Sequence, residues 1–320
     1  REEEEDESQT GREGLQEDGS GDDDSEGGRD ERDGGDSESD DSQEEEERFL
    51  TACAEGDMEE AKRLHAAGRA DLSTGDAEEG DTPLGVACRF GHLAMAQWLH
   101  ECGAALEQPN STGETPLHEA ALKGHLPVVK WLLPLLSAAQ RNAHSEAGMT
   151  ALCFACLGGH VAVADELLAA GASTEAVDSE GHTLMHLACT NGRLPMAERL
   201  HALGLPLEAR DAQQRTPLHL AAANQAEEAL VRLLLEACPE AARIAEARDG
   251  SLPLQLALQY QADEPSINAL LERFPDGAGH RTLGGMLPLH LAAFYTAPEA
   301  VVAKLLRIYP EALYSCIFVA

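Results

Sequence analysis

The chain has 320 residues, with 58 Asp and Glu against 23 Lys and Arg, a formal net charge of −35 at pH 7. That balance repels nucleic-acid phosphates and anionic membrane surfaces, so neither is expected as a direct ligand. No apolar run approaches the roughly 18 residues of a membrane-crossing helix, and no apolar stretch of the secretory type follows Arg1.

The charge is concentrated at the start. Residues 1–47 carry 24 acidic and 4 basic residues, with Leu15 as the one aliphatic side chain and no aromatic. Such a segment cannot bury enough apolar surface to offset the entropy of ordering. Residues 1–46 are therefore expected to form a disordered acidic tail. Two roles stay open for it: a solvated entropic tail, or an acidic arm for a basic partner. Ser20, Ser25, Ser37, Ser39 and Ser42 lie among its acids, a setting that suits acid-directed kinases.

A folded array is expected from Glu47 to Ala320. Its first unit, residues 47–81, is degenerate: Phe49-Leu50-Thr51-Ala52-Cys53 and Gly56 line up with Leu84-Gly85-Val86-Ala87-Cys88 and Gly91. Its polar second helix, Met58 to Ala67, suits a cap whose outer face meets water. Seven copies of one pattern then begin at Thr82, Thr115, Thr150, Thr183, Thr216, Leu252 and Leu287. The clearest reads Thr115-Pro116-Leu117-His118-Glu119-Ala120-Ala121, then Gly124-His125, Val128-Val129 and Leu132-Leu133. Thr is placed to cap a helix, and Pro fits its first turn. Gly124 ends that helix in a left-handed conformation, and spaced apolar residues mark a second helix. Gly103, Gly171 and Gly204 close three second helices, and Asp178 and Asp211 open the turns that follow.

The last three copies change style. Gln225-Ala226, Gln261-Ala262 and Thr296-Ala297 stand where earlier copies have Gly-His, and Gln255 replaces the His of the motif at Leu252. The second helices there end in Cys238-Pro239-Glu240, Phe274-Pro275-Asp276 and Tyr309-Pro310-Glu311. The connections in this half are the least predictable from pattern alone.

A period near 33 residues with this content resembles the ankyrin repeat, a turn plus two helices. The resemblance implies an all-α ankyrin-repeat solenoid of about eight units, with finger loops between them and no active site of its own. It also implies that His118, His186, His219 and His290 hydrogen-bond between turns.

The repeat register filters the sharper motifs. Cys153-Phe154-Ala155-Cys156 has the spacing of a zinc or redox pair. Cys156, however, shares a column with Cys53, Cys88, Cys189, Ala121, Ala222 and Ala293. A small buried residue fits that column, and no second cysteine pair or His pair follows. The cysteines are expected to stay reduced. Ten of the 13 His fall in repeated columns, which leaves His144, His182 and His280 as scattered finger residues. No nucleophile, base and orienting third group are assembled by such columns, and no phosphate loop or nucleophile elbow is present. Neither a cofactor nor a metal is expected.

The resemblance implies that partners bind in a groove lined by fingers and inner helices. The residues after the Ala-Ala step and those just before the Thr of the motif vary with the partner. These map to Arg89-Phe90, Leu122-Lys123, Leu157-Gly158, Thr190-Asn191, Ala223-Asn224, Gln259-Tyr260 and Phe294-Tyr295, and to Asp81, Glu114, His182 and Arg215. Tyr260, Phe294 and Tyr295 are notable in a chain with 4% aromatics. They suit either a binding hot spot or a cover for the end of the stack.

The expected function is a monomeric scaffold or adaptor in the cytosol or nucleus, holding a protein partner. Two alternatives are the regulatory part of a larger enzyme or channel and an acidic-tail binder of basic proteins such as histones. The chain opens on Arg1 and closes in Ser315-Cys316-Ile317-Phe318-Val319-Ala320, midway through another turn by register. That is the expectation for a piece of a longer protein.

Overall fold

A computed structural model describes residues 37–313 except 74 and 76–79, with side chains described from residue 44. The chain divides into two compact units, Arg1–Asp40 and Asp41–Ala320. Almost all of the first unit lies outside the described residues, and with it most of the expected tail, including Ser20 and Ser25.

Seventeen α-helices are present among the described residues, and eight pairs of them form the repeat units. The pairs are α1 (Ser37–Glu55) with α2 (Met58–Ala66), α3 (Pro83–Arg89) with α4 (Leu93–Glu101), and α5 (Pro116–Lys123) with α6 (Leu126–Leu132). A short α7 (Ala138–Arg141) then fills the longer third connection. The array continues with α8 (Ala151–Gly158) and α9 (Val161–Ala169), α10 (Leu184–Thr190) and α11 (Leu194–Ala202), α12 (Pro217–Ala223) and α13 (Glu228–Ala237). It closes with α14 (Pro253–Gln259) and α15 (Glu264–Arg273), then α16 (Pro288–Phe294) and α17 (Glu299–Ile308). From α3 onward each first helix packs on the first helix of the next unit and on its own second helix. No strand is formed among the described residues; one isolated bridge pairs Val177 with Thr183.

The first helix begins at Ser37, ten residues earlier than the array was expected to start. It takes in residues 37–46 of the expected tail. Their acids occupy the N-terminal turns of α1, where the helix dipole favours negative charge, and Glu has high helix propensity. The expected cap core is present: Phe49, Ala52 and Cys53 are buried.

The left-handed glycines do more than end helices. Gly56, Gly91 and Gly124 have φ of 75°, 78° and 80°. A Cβ on any of them would lie 2.3 to 2.6 Å from Nδ1 of His92, His125 or His160 in the following unit. The same imidazoles donate from Nε2 to the carbonyls of Ala54, Arg89 and Leu122, at 2.8, 2.8 and 2.9 Å. Each Gly-His step thus locks into the unit before it. Arg193 takes this place against Gly159.

A second lock runs forward. The Thr hydroxyl caps its helix as expected at Thr82 and Thr150. At Thr115, Thr183 and Thr216 the backbone N–H donates instead to Nδ1 of His118, His186 and His219. That leaves Nε2 as the protonated nitrogen. It donates to Ala143 O from His118 and to Arg215 O from His186, both at 3.0 Å. Gln255 reproduces the arrangement with an amide, accepting from Leu252 N–H and donating to His280 O at 3.2 Å.

The fingers join through one backbone bond each. Amides of Glu146, Ser179, Ala212, Ala247 and Leu283 donate to Thr112, Ala147, Glu180, Gln213 and Asp249. Asn110, Asp178 and Asp211 shape three of the turns by accepting two downstream amides on one side-chain oxygen.

The last three units keep the left-handed step without glycine. Gln225, Gln261 and Thr296 have φ of 56°, 57° and 56°. Cys238, Phe274 and Tyr309 end their helices with nearly the same backbone angles, so the shared Pro-acid endings are one structural device. A 3-10 turn follows the first two, at Pro239–Arg243 and Pro275–Gly279.

The cysteine column is packing. Cys53, Cys88, Cys156 and Cys189 are fully buried, as are Ala121 and Ala222. Burial pushes the Cys53 thiol up to about 12 and raises Cys88, Cys156 and Cys189 as well. Ala293 departs from the column and is exposed, because no described unit covers it.

Two substitutions test the locks. Gly171 has φ of 88° but nothing within 4 Å of a new Cβ, so Gly171→Ala should cost about 1–2 kcal/mol, the left-handed penalty alone. Gly124→Ala also drives a methyl into His160 and should cost about 1–3 kcal/mol more, read from denaturant midpoints. Burial pushes His118 down to about 4, offset only in part by its bond to Ala143. The unfolded chain takes up that proton near 6.5, so stability is lost as pH falls from 6.5 towards 4. His118→Gln should fold, as Gln255 does, and should lose less stability between about pH 7 and pH 5 than the parent.

Candidate partner-binding groove

The inner-helix ends and the fingers place the sequence-predicted residues in two different settings. One set is engaged in charge networks. Arg89 is only 22% exposed in its side chain; Nη2 lies 2.7 Å from Asp81 Oδ2, and Nε lies 2.8 Å from Glu119 Oε2. Both carboxylates are buried. Asn110 also donates to Asp81, and Glu114 adjoins Glu119. Burial, then Glu119, pushes the Glu114 carboxyl up to about 7.

His182 and Arg215 form the second network, one finger apart. His182 Nδ1 lies 2.9 Å from Asp178 Oδ2, and its Nε2 lies 3.3 Å from Asp211 Oδ2 and 3.0 Å from Arg215 Nη2. Arg215 Nε bonds the same Asp211 oxygen at 2.7 Å. Bonds from Arg215 and Gln213 hold the Asp211 carboxyl below its ordinary range despite its burial. Arg89, His182 and Arg215 therefore brace neighbouring units rather than stand out as unengaged groove side chains. His182 is not the scattered surface residue that elimination suggested, and His280 donates to Gly250 O at 2.9 Å. His144 alone of the three is exposed.

The other set faces solvent. Phe90 is 53% exposed, Tyr260 43% and Phe294 73%. Lys123 and Asn191 are exposed, and Asn191 donates to Leu157 O. Thr190 donates to His186 O, and Leu122 is half-buried against the core. Tyr295 also packs on the core, edge-on to Phe294 with ring centroids 4.9 Å apart. Pattern reasoning missed Leu283, 79% exposed on the last described finger; an apolar residue at a finger tip was the available signal.

Among the described residues no group of three or more His, Cys, Asp or Glu is arranged to hold a metal ion. A cavity of about 740 Å³ lies at the cap end and is lined by Glu45, His65, Arg69 and Gln108 among others. Glu45 and Arg69 are paired to each other there. No described helix is long and apolar enough to cross a membrane.

Comparison with known families gives a match to a model described as ankyrin repeats (3 copies), over residues 49–139 and 134–211, more than half of the chain. The chain belongs to the ankyrin repeat family. A single ankyrin repeat model matches residues 213–243 in addition. The two ankyrin units that follow, at Leu252 and Leu287, are seen in the structure as further helix pairs. No curated protein matches the chain. Ankyrin repeats are generally modules for protein–protein interaction, and an all-helical stack of them is typically non-enzymatic.

Two outcomes are expected of the ankyrin network at Arg89. Arg89→Ala leaves Asp81 and Glu119 without their cation and should cost about 3 kcal/mol, measured by chemical denaturation. Glu114 holds its proton in the fold up to about pH 7, whereas the unfolded chain releases it near 4.5. Stability is therefore lost as pH rises through that window. Glu114→Gln should be more stable than the parent at about pH 8 and equal to it near pH 4.

Proposed function

We propose that the protein is a non-enzymatic scaffold or adaptor, acting as a monomer in the cytosol or nucleus, that holds a protein partner along its inner helices. The observation that carries this reading is the group of exposed aromatic side chains at the end of the stack. Tyr260 directly follows α14 and Phe294 ends α16, neighbouring inner helices, and both leave much of their ring in water. Large exposed rings rimmed by polar groups are what a binding surface offers before its partner arrives. Arg89, His182 and Arg215 serve it indirectly, by fixing the fingers against one another.

The locks between units supply the rigidity such a surface needs. Side chains held on packed helices lose little further entropy on binding, so contact area converts more fully into affinity. The free thiols of the described cysteines suit a reducing compartment.

The test is affinity capture from the native cell with the intact chain and with a Tyr260→Ala, Phe294→Ala double variant. Capture should fall by about ten-fold or more, since each buried aromatic anchor contributes on the order of 1–2 kcal/mol. The melting temperature should not change. A double variant that unfolds, or that captures as well as the parent, would remove the groove from the mechanism.

A further inference from the structure

The inner surface is not uniform along the stack, and the difference points to the chemistry of the partner. Helix α3 ends in Arg89, and α5 carries Glu119 and Lys123. Helices α8, α10, α12, α14 and α16 carry no Asp, Glu, Lys or Arg, five consecutive inner helices in a chain of net charge −35, and only the last three are followed by a left-handed step without glycine. Beyond them come Asn224-Gln225, Tyr260-Gln261 and Tyr295-Thr296, and of these only Tyr295 is not exposed.

These positions are also where the backbone departs from the glycine rule. Gln225, Gln261 and Thr296 hold φ near 56°, each at a cost of order 1 kcal/mol that a glycine would avoid. Earlier units spend no such energy, and at Gly56, Gly91 and Gly124 the step is covered by the imidazole of the next unit. Here Ala226, Ala262 and Ala297 replace that residue, and side chains project in place of glycines. Gln225 donates to Tyr260 O at 2.7 Å. The Gln261 carboxamide has no hydrogen-bond partner among the described residues.

The strip therefore offers exposed rings at Tyr260 and Phe294, an unengaged amide at Gln261 and no charge on its helices. Packed helix axes lie about 8–10 Å apart. A polyproline II helix repeats every 3 residues at about 3.1 Å each, or roughly 9.3 Å. An extended strand repeats its facing side chains at about 6.7 Å and falls out of step after one unit. Polyproline II carbonyls have no internal hydrogen bonds, so they are free to accept from a carboxamide, and proline rings stack on exposed aromatics.

We propose that the groove over α12, α14 and α16 binds an uncharged, proline-containing segment in the polyproline II conformation, one turn of ligand per unit. Tyr260 and Phe294 pack its rings, and Gln261 donates to its backbone. This rests on the groove reading above and narrows it to a partner chemistry. It also separates the partner site from the chain's net charge, since the strip has no carboxylate to attract a basic segment.

Fluorescence polarisation with the intact chain tests it. The probes are a labelled nonapeptide of three Pro-Pro-Leu triplets, its counterpart with Gly for every Pro, and a lysine-rich nonapeptide. The proline peptide should bind at least about ten-fold more tightly than the glycine peptide, because its conformation is already set. Its affinity should be the same at low and high salt. Gln261→Gly should weaken it several-fold while leaving the melting temperature equal or higher, a result that misfolding cannot produce. Equal binding of the proline and glycine peptides, or binding of neither, overturns the proposal, as does preference for the lysine peptide. If neither peptide binds while capture from the cell still requires Tyr260 and Phe294, the groove reading stands and this inference alone falls. Proline-peptide binding that survives Tyr260→Ala and Phe294→Ala places the peptide site elsewhere and overturns this inference, and the groove reading falls with it only if capture from the cell also survives the two substitutions.

Discussion

The N-terminal half of the stack depends on one contact made three times, at Gly56, Gly91 and Gly124: a left-handed glycine at the end of an inner helix, closed over by the imidazole of the next unit. The glycine is required twice, by its backbone angle and by the ring that occupies the space of a Cβ. The imidazole then bonds a carbonyl two residues before that glycine. Helix angle, unit spacing and the path into the second helix are all set by this contact. The forward bond of His118 or His186 adds the finger to the same frame. Neither device has meaning inside a single unit, which is why the units are stable only in company.

The C-terminal units solve the problem differently, and the solution has an effect on the surface. Giving up glycine costs local strain but places Gln225, Gln261 and Thr296 on the inner side. Gln225 reaches forward to the next unit, replacing a backward bond by a forward one. Ser266 donates to Ala226 O and restores a tie where the imidazole is absent. Packing between units is thereby kept while the inner surface acquires side chains.

Much of the fold was legible in the sequence because the period fixes what each column must do. The buried Leu of the motif, the small residue in the Cys156 column and the glycines that end the early inner helices all follow from spacing. Composition marked the tail but not the start of α1, because acids that cannot form a core are still stabilised at a helix start by its dipole. The charge networks were also hidden. Arg89 and Arg215 stand in variable columns, and only the fold brings Glu119 and Asp211 within bonding distance. Exposure of Phe294 and Tyr260 followed from their columns, whereas the half-burial of Tyr295 depends on its packing against the core. Leu283 shares its column with Glu146, Ser179, Ala212 and Ala247, none of them large and apolar, so register gave its exposure no weight.

The finger bonds have a consequence for dynamics. Successive fingers are tied by one amide each, at Glu146, Ser179, Ala212, Ala247 and Leu283. An amide that bonds only across a junction exchanges its proton with solvent when that junction opens, not when its own helix frays. The five amides are therefore separate reporters, one per junction, of how far the array breathes and from which end. Their relative exchange rates would read the cooperativity of the whole solenoid from inside it.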